Sequence, residues 1–327
     1  MKYRTFGKTG FPISEISLGT WQVGGKWGQP FDHDNADKIL NTAVDNGINF
    51  IDTADVYGDG HSEKAVGRLV RNRSEKIYVA SKCGRQLQPH TNEQYTPKAL
   101  RNFVEASLKN MDIECLDLIQ IHCPPTQVYY RPEIFEVFEK MIDEGKILHM
   151  GVSVEKVEEA LKAIEYDCVS TVQIIFNIFR QRPTELFFEQ AKKKNIGIIA
   201  RVPLASGLLS GKFSEGTQFG DDDHRNFNRE GAAFDKGETF SGVDYETGLK
   251  TVAALQEEFS NVPPVMLALK WILSFEEISC VIPGASNVSQ VLNNIEASEF
   301  PNLTSDQIAS INAIYDTHIK KLVHHLW

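Results

Sequence analysis

The sequence GINFIDTADVYGDGHSEKAVG, residues 47–67, joins a short apolar strand to the helix that follows it. The strand ends in Phe50, Ile51 and Asp52, and a helical pattern of apolar residues begins near Glu63. The same unit recurs about eight times along the chain, with helices instead of tight turns between successive strands. Strands that are joined through helices pair in parallel and are connected by right-handed crossovers. The sequence therefore predicts an α/β protein with a parallel sheet.

A chain of about eight strand–helix units is typical of a (β/α)8 barrel, also called a TIM barrel. The predicted strands lie at residues 16–18, 50–51, 77–80, 118–121, 149–152, 171–173, 196–200 and 281–282. The predicted helices lie at residues 35–46, 63–71, 97–110, 133–144, 154–164, 184–193, 245–259 and 288–295. A doubly wound sheet is disfavoured because no G-x-G-x-x-G motif follows the first strand. We expect one barrel domain over residues 1–327 instead of the two domains that length alone suggests.

Three segments lie outside the repeat. Residues 3–14 contain the turn sequence GKTG (7–10) between β-prone residues, which predicts a β-hairpin. Residues 211–242, after the seventh strand, form a long polar stretch rich in Gly, Asp and Asn, which is typical of a functional loop. Residues 304–322 begin with the capping sequence TSDQ, which predicts a C-terminal helix.

Composition and charge exclude several classes of protein. The chain has 34 basic and 44 acidic residues, a formal net charge of −10, so it lacks the basic field of a nucleic-acid-binding protein. Its longest mostly apolar stretch, residues 265–273, is far shorter than the ~20 residues that span a bilayer, and the N-terminus lacks the apolar core of a signal peptide. Five scattered cysteines without a C-x-x-C pair argue against a disulfide scaffold or a zinc site. We expect a reduced, cytoplasmic protein without a metal and without a membrane or nucleic-acid partner.

Four polar side chains follow the second, third and fourth predicted strands, at the barrel end where active sites are built. Asp52 ends the second strand and Tyr57 lies in the loop after it, while Lys82 and His122 end the third and fourth strands. Singly, most have an ordinary structural explanation: an aspartate can cap a helix, and a tyrosine or histidine can simply pack. Lys82 is harder to explain, because a lysine that follows a buried strand needs an anion beside it.

Together these four side chains suit the reduction of a carbonyl group. A tyrosine has a pKa near ~10, and we expect the ammonium group of Lys82 to lower the pKa of Tyr57. Asp52 would keep Lys82 charged and oriented, and His122 could form a hydrogen bond with a substrate oxygen. The hydride must come from a nicotinamide cofactor, because no side chain supplies one.

Longer segments of the chain resemble the aldo-keto reductase superfamily along nearly the whole length. These segments are GINFIDTADVYGDGHSEKAVG (47–67), LIQIH (118–122), GVS (151–153), PLASGLLSGK (203–212) and IPGASNVSQVLNN (282–294). Within the superfamily, the chain is similar to the branch of bacterial general-stress reductases and potassium-channel β-subunits. The resemblance implies a (β/α)8 barrel, carbonyl reduction with NADPH, and a catalytic tetrad of Asp52, Tyr57, Lys82 and His122.

The resemblance also implies a set of cofactor-binding residues. They are Gly19, Thr20, Trp21 and Asp52 at the first two strands, Ser153 and Gln173 at the nicotinamide, Pro203, Leu204, Ser206, Gly207 and Lys212 near the pyrophosphate, and Gly284, Ser286, Gln290, Asn293 and Asn294 at the adenosine end. Two positions depart from the family. Val154 stands where relatives often have Asn or Arg, and Arg201 stands where many relatives stack an aromatic ring on the nicotinamide. Arg201 remains a candidate contact, because a guanidinium group can also lie flat on a π system.

The choice between NADPH and NADH depends on how the 2′-phosphate is bound. Many relatives bind it with a lysine and an arginine, and Gly284 and Gln290 stand at those positions here. The channel-subunit branch has a similar pattern and uses NADP(H), so we expect NADPH without excluding NADH. Arg225 in the long loop could supply a positive charge if that loop folds over the cofactor.

Two other functions stay open at this point. A Schiff-base lyase or aldolase could use Lys82, although a nearby aspartate would oppose the neutral amine that this chemistry requires. A cofactor-sensing regulatory subunit is compatible with the channel-subunit resemblance. For an enzyme, we expect a small-molecule carbonyl substrate. Its pocket should be walled by Trp21, Trp27, Tyr57, the residues after His122, the 211–242 loop and the C-terminal tail that ends in Trp327. Whether the barrel forms a homo-oligomer is left open.

Overall fold

The computed structural model describes residues 1–25 and 30–327, and the central sheet of this part of the chain has eight parallel strands. The strands of the protein are β1 (Tyr3–Thr5), β2 (Pro12–Ser14), β3 (Leu18–Gly19), β4 (Phe50–Asp52), β5 (Tyr78–Cys83), β6 (Leu116–His122), β7 (Ile147–Ser153), β8 (Val169–Ile175), β9 (Gly197–Arg201) and β10 (Ile278–Val281). Strands β3 to β10 pair in chain order, each parallel to the next. Parallel bridges from Ile16 to Val281 and from Gly19 to Gly284 join the two edges of the sheet. The predicted (β/α)8 barrel is confirmed.

Helices alternate with the strands and cover the outside of the barrel. They are α1 (His33–Asp45), α2 (His61–Arg71), α3 (Pro97–Met111), α4 (Pro132–Asp143), α5 (Val157–Ala163), α6 (Phe187–Lys193), α7 (His224–Phe227), α8 (Tyr245–Glu258), α9 (Pro264–Leu273), α10 (Val288–Glu299), α11 (Ser305–His318) and α12 (Lys320–Val323). Their buried faces and the strands share one large apolar core. Each predicted helix has a counterpart here, with ends that differ by a few residues. Among the described helices, none combines the length and the apolar character needed to cross a bilayer.

Helix α9 is the one long helix that the apolar pattern does not predict among the described residues. Every residue from Val265 to Leu273 is buried, including Lys270. A helix that is buried on all sides lacks the alternation of polar and apolar faces that identifies an amphipathic helix in sequence. Pro264 at the first helical position is the signal that the sequence does offer.

The hairpin closes the amino-terminal end of the barrel. Strands β1 and β2 pair antiparallel, as the GKTG turn predicts. Side chains from the hairpin enter a small inner core with side chains from the barrel strands. This inner core consists of Phe6, Ile13, Phe50, Ala80, Leu118, Ile199, Cys280 and Ile282. Gly7 is needed at its position, because its φ is +49° and an added Cβ would lie 2.1 Å from the backbone nitrogen of Gly197.

The long loop contacts the C-terminal tail that follows the last helix. Residues 211–242 contain α7 and short 3-10 turns. Helix α11 begins with the predicted capping box, in which the backbone nitrogen of Gln307 donates to Thr304 Oγ1 at 3.2 Å. Beyond this helix, the Trp327 ring lies 4.1 Å from the guanidinium of Arg180, and its Nε1 donates to Asp235 Oδ1 at 2.8 Å. The C-terminal segment therefore packs directly on the loop.

Candidate active site

The carboxyl ends of β4, β5 and β6 bring the predicted catalytic side chains to one end of the barrel. Asp52 is the last residue of β4, His122 is the last of β6, and Lys82 is next to last in β5. The strands are parallel, with Lys82 in register beside Gln120, so their ends lie at the same edge. Tyr57 reaches this edge from the loop after β4.

Lys82 is the centre of the cluster and is fully buried. Its Nζ donates to Asp52 Oδ1 at 2.5 Å, to the backbone oxygen of Thr53 at 2.9 Å and to Tyr57 Oη at 3.2 Å. Burial by itself lowers the pKa of a lysine, but Asp52 and Tyr57 outweigh it and raise the pKa of Lys82. The side chain is therefore an ammonium ion that is held against the tyrosine hydroxyl.

Asp52 is held by a second set of hydrogen bonds. Its Oδ2 accepts from Gln173 Nε2 at 2.7 Å and from Gln120 Nε2 at 3.0 Å. The predicted site does not include Gln120, although its position two residues before His122 is a usable signal, because alternate residues of a strand face the same side. Hydrogen bonds of this kind stabilise the charged carboxylate and fix its orientation toward the lysine.

Tyr57 keeps its proton at neutral pH. Burial raises the pKa of its phenol above the ordinary value, and the ammonium group of Lys82 lowers it by a smaller amount. The net direction is the reverse of the sequence-based expectation, because that expectation counted the charge of Lys82 and not the loss of hydration. The protonated phenol therefore lies with its Oη 3.2 Å from the ammonium nitrogen of Lys82.

His122 faces Tyr57 across the pocket. The ring centroids are 6.2 Å apart and the ring planes are nearly perpendicular. Burial, and then the positive charges of Arg85 and Lys82, hold the pKa of His122 well below its usual range, so the imidazole is neutral. Within the described residues, its buried Nδ1 has no hydrogen-bond partner. The ring is available to a ligand.

The residues predicted for the pyrophosphate lie in and after a strained loop that follows β9. They are Pro203, Leu204, Ser206, Gly207 and the exposed Lys212. Val202, Ser206 and Gly207 have positive φ, at +53°, +56° and +98°. A β-branched residue such as valine rarely adopts this conformation, and such strain is typical of ligand-binding loops. Ser206 Oγ also donates to the backbone oxygen of Glu238 at 3.1 Å, which ties the strained loop to residues 211–242.

The residues predicted for the adenosine end surround the N-terminus of α10. They are Gly284, Ser286, Gln290, Asn293 and Asn294. Ser286 donates from its backbone nitrogen and its hydroxyl to Gln290 Oε1, at 2.8 and 3.1 Å, and Asn294 Nδ2 donates to the backbone oxygen of Gly284 at 3.4 Å. The bridge between Gly19 and Gly284 brings the end of the first barrel strand beside this cluster. A helix N-terminus lined by such groups suits a phosphate.

Trp21 joins the long loop to the catalytic cluster. Its ring centroid lies 6.5 Å from that of Tyr57, 4.9 Å from His224 and 6.2 Å from Phe234. Its neighbour Thr20 donates from Oγ1 to the backbone oxygen of Asp52 at 3.1 Å. Residues of the 211–242 loop therefore form one wall of the pocket above Tyr57. Trp27, predicted in the same wall, lies outside the described residues.

Comparison with known proteins identifies the family to which this chain belongs. The sequence model of the aldo/keto reductase family matches residues 15–316. The chain belongs to the aldo/keto reductase family. Its fold and family are those of oxidoreductases.

Individual relatives of this aldo/keto reductase match it over nearly their whole length. The aldo-keto reductase YhdN of Bacillus subtilis (strain 168) is 29% identical over 326 residues, 98% of this chain and 95% of YhdN. A probable voltage-gated potassium channel subunit beta of Oryza sativa subsp. japonica is 27% identical over 337 residues, 98% of either chain. The structure of the glycerol dehydrogenase AKR11B4 from Gluconobacter oxydans superposes with a TM-score of 0.79 at 29% identity, over 97% of this chain and 96% of that one. The branch that the sequence predicts is confirmed.

In this aldo/keto reductase, Arg201 ends β9 and forms ion pairs inside the pocket. Its Nη2 donates to Glu155 Oε2 at 2.9 Å and to the backbone oxygen of Val154 at 3.1 Å. The predicted site does not include Glu155, although its position two residues after Ser153, at the end of β7, is the available signal. Ser153 Oγ lies 3.5 Å from Cys123 Sγ, which follows His122. The barrel mouth on this side is thus more charged than the sequence indicated.

Arg225 is already paired within its own loop. Its Nε and Nη2 donate to the two carboxylate oxygens of Asp223 at 2.8 and 2.5 Å. An added Cβ on Gly207 would lie 3.7 Å from Arg225 Nη1. The guanidinium group therefore lies beside the strained loop after β9, where the predicted pyrophosphate residues are.

Cys123, Glu155 and Glu238 bring potential metal-ligating atoms within 4.8 Å of one another. The guanidinium group of Arg201 lies where a metal ion would lie, because it is 2.9 Å from Glu155 and 3.8 Å from Glu238. Burial raises the pKa of the Cys123 thiol, whereas a metal binds the thiolate. Arg201, Glu155 and Glu238 therefore form a cluster of ion pairs.

Proposed function

We propose that this protein reduces aldehydes or ketones to alcohols, with NADPH as the hydride donor. The observation that carries the proposal is the double contact of Lys82 Nζ, with Asp52 Oδ1 at 2.5 Å and with Tyr57 Oη at 3.2 Å. It places a protonated phenol beside a fixed positive charge. Such a pair can give a proton to a carbonyl oxygen that becomes negative during reduction.

Each side chain of the tetrad has a separate task in this proposal. Tyr57 donates its Oη proton to the carbonyl oxygen, and the ammonium group of Lys82 stabilises the resulting phenolate. Asp52 keeps Lys82 charged and oriented. The neutral His122 binds the carbonyl oxygen by a hydrogen bond and so holds the carbonyl carbon in one position.

The groups around the barrel mouth fit a nicotinamide dinucleotide. Ser153 and Gln173 offer polar atoms beside the tetrad that suit a carboxamide. The strained backbone at residues 202–207 and the N-terminus of α10 suit phosphate groups. When bound, the nicotinamide supplies the hydride that no side chain can supply. We favour NADPH over NADH because the Gly284 and Gln290 pattern resembles that of the channel-subunit branch.

A Schiff-base mechanism at Lys82 is disfavoured. The amine must lose its proton before it attacks a carbonyl carbon. Burial alone would favour that loss, but Asp52 and Tyr57 raise the pKa of Lys82 overall. A cofactor-sensing regulatory role is the second candidate, and the likeness to a plant channel subunit supports it.

The test is the oxidation of NADPH and of NADH, followed by absorbance, against a panel of aldehydes, ketones and quinones. A higher kcat/KM with NADPH than with NADH supports the proposal, and turnover with NADH alone would overturn the choice of cofactor. Tight retention of the dinucleotide without turnover, together with capture of a stable partner protein, would favour the regulatory role. Borohydride trapping of a carbonyl compound on Lys82 would favour the Schiff-base mechanism.

We also propose that the protein works on a small molecule in a reducing, cytoplasmic environment. All five cysteines are free, namely Cys83, Cys115, Cys123, Cys168 and Cys280. Free thiols persist where cellular reductants prevent disulfide formation. Thiol titration of the protein from freshly lysed cells tests this, with five reactive thiols per unfolded chain expected.

A further inference from the structure

Two arginines outside the tetrad border the pocket that contains Tyr57. Arg85 lies just beyond β5, and its guanidinium is 5.8 Å from the ring centre of Phe234. Phe234 in turn lies edge-on to Trp21, which stacks over Tyr57. Arg201 enters the same pocket from β9. The positive charges of both arginines lower the pKa of His122. The Arg85 side chain is 21% exposed and that of Arg201 is 10% exposed, so Arg85 is the more accessible from solvent.

A carboxylate from the long loop lies between these two arginines. Glu238 Oε1 is 3.2 Å from Arg85 Nη1, and Glu238 Oε2 is 3.8 Å from Arg201 Nη1. On the other side, Glu155 Oε2 accepts from Arg201 Nη2 at 2.9 Å. The pocket wall therefore contains a two-arginine site, and a side chain of the 211–242 loop occupies it.

The hydrogen bonding of this cluster is incomplete. Among the described residues, ten buried side-chain atoms lack a hydrogen-bond partner, and four of them belong to this cluster: His122 Nδ1, Glu155 Oε1, Arg201 Nε and Glu238 Oε1, the last of which is ion-paired with Arg85. Buried polar atoms in proteins are almost always hydrogen-bonded to protein or to water. These four atoms are therefore free to form hydrogen bonds with a polar ligand or with water.

The cluster contains two arginines and two glutamates, and the two carboxyl groups lie close together. Two carboxyl groups whose oxygens lie within 4.8 Å of each other are not both ionised easily when buried. Burial raises the pKa of Glu155 to about 8, although Arg201 opposes the shift. Near neutral pH, Arg85 and Arg201 therefore face one carboxylate, that of Glu238.

We propose that the substrate is a carbonyl compound that also carries a carboxylate, and that Arg85 and Arg201 bind this carboxylate in exchange for Glu238. The geometry favours a carboxylate because the side chain that now occupies the site is one, and a guanidinium group pairs with carboxylate oxygens in a fixed planar fork. This inference rests on the proposed carbonyl reduction and narrows it to a substrate class.

The experiment compares two aldehydes that differ in one charge, para-carboxybenzaldehyde and its methyl ester. For the wild-type protein we expect a kcat/KM roughly 10-fold or more higher for the acid, since hydrogen bonds to charged groups are worth this much or more. Arg85→Gln should remove this preference for the acid and should change kcat/KM for the ester little. Glu238→Gln should raise the preference several-fold, because the competing carboxylate is gone. Arg101→Gln, which breaks an exposed ion pair with Glu144 on the barrel exterior, should leave it unchanged.

A binding measurement separates this inference from the proposed function. Calorimetry with para-(hydroxymethyl)benzoate, with and without NADP+, should give binding that Arg85→Gln weakens and Arg101→Gln does not. If neither aldehyde is reduced and this binding persists, the proposed reduction fails and the carboxylate site stands. Equal kcat/KM for the acid and the ester in the wild type, or equal losses for both in Arg85→Gln, would overturn the carboxylate site. Thermal melting of each variant verifies that it is folded.

Discussion

Lys82 Nζ and Asp52 Oδ1 lie 2.5 Å apart, and the two side chains are only 1% and 2% exposed. A charge that is removed from water is stable only beside an opposite charge or a full set of hydrogen bonds. The pair therefore joins the second and third barrel strands. It also keeps the lysine charged beside Tyr57.

Asp52→Asn should destabilise the protein strongly. The substitution leaves the Lys82 ammonium buried with neutral partners only, which typically costs about 3–5 kcal/mol. Asp37→Asn is the matched control, because it breaks an ion pair with Arg68 whose side chains are 49% and 35% exposed, and the expected loss is about 0–1 kcal/mol. Urea unfolding of both variants measures the free energies. Equal losses would show that burial of the Lys82 pair does not matter.

Tyr57→Phe should reduce kcat at least about 100-fold, because general acid catalysis contributes at least this much. Binding of NADPH, measured by fluorescence titration, should stay close to that of the wild type. Tyr130→Phe is the control, because Tyr130 is 64% exposed on the surface. The kcat of this variant should equal that of the wild type. An unchanged kcat in Tyr57→Phe would exclude Tyr57 as the acid.

Asp55→Asn should alter how stability depends on pH. Asp55 is 5% exposed, and burial, with Glu63 next in importance, raises its pKa from 3.8 to about 7. The native carboxyl holds its proton more tightly than the unfolded one. Its favourable contribution at acid pH is therefore lost as the pH rises through about 7.

The amide of Asp55→Asn does not titrate. Relative to the wild type, the variant should gain up to about 3 kcal/mol of stability between about pH 5 and about pH 7.5, measured by urea unfolding. The exposed Asp306→Asn should show a difference from the wild type that is the same at both pH values. A pH-independent difference for Asp55→Asn would contradict the assignment.

Trp327→Ala should loosen the 211–242 loop. The ring lies against Arg180, donates to Asp235, and an added Cβ on Gly242 would lie 2.4 Å from it. Loss of a buried tryptophan costs about 3–5 kcal/mol. Trypsin should cleave faster within the loop, at sites read by mass spectrometry. Leu326→Ala, at a 43% exposed side chain, is the control, and equal cleavage of the two variants would refute this role of Trp327.

Much of the fold could be predicted because each strand–helix unit is local in sequence. The eight predicted barrel strands all have counterparts, since short apolar runs between helical segments define a parallel barrel. Helix α9 could not be predicted in this way, because it is buried on every side and shows no polar face.

The positions of the candidate site were predictable in part. Asp52, Lys82 and His122 could be named because polar residues at strand ends stand out against apolar strands. Arg85 and Glu238 could not be named, because their ion pair joins the end of β5 to a loop more than a hundred residues away. Nothing local in sequence distinguishes them from solvated surface charges.

By itself, the sequence determined the barrel and the residue types at its carboxyl end, because apolar periodicity and strand-end polarity are properties of neighbouring residues. Only the tertiary structure decided the protonation of Tyr57, whose pKa is raised by burial against the charge of Lys82. It also decided the placement of Glu238 between Arg85 and Arg201. Hydration and charge at a site depend on every segment that packs around it, and those segments come from distant parts of the chain.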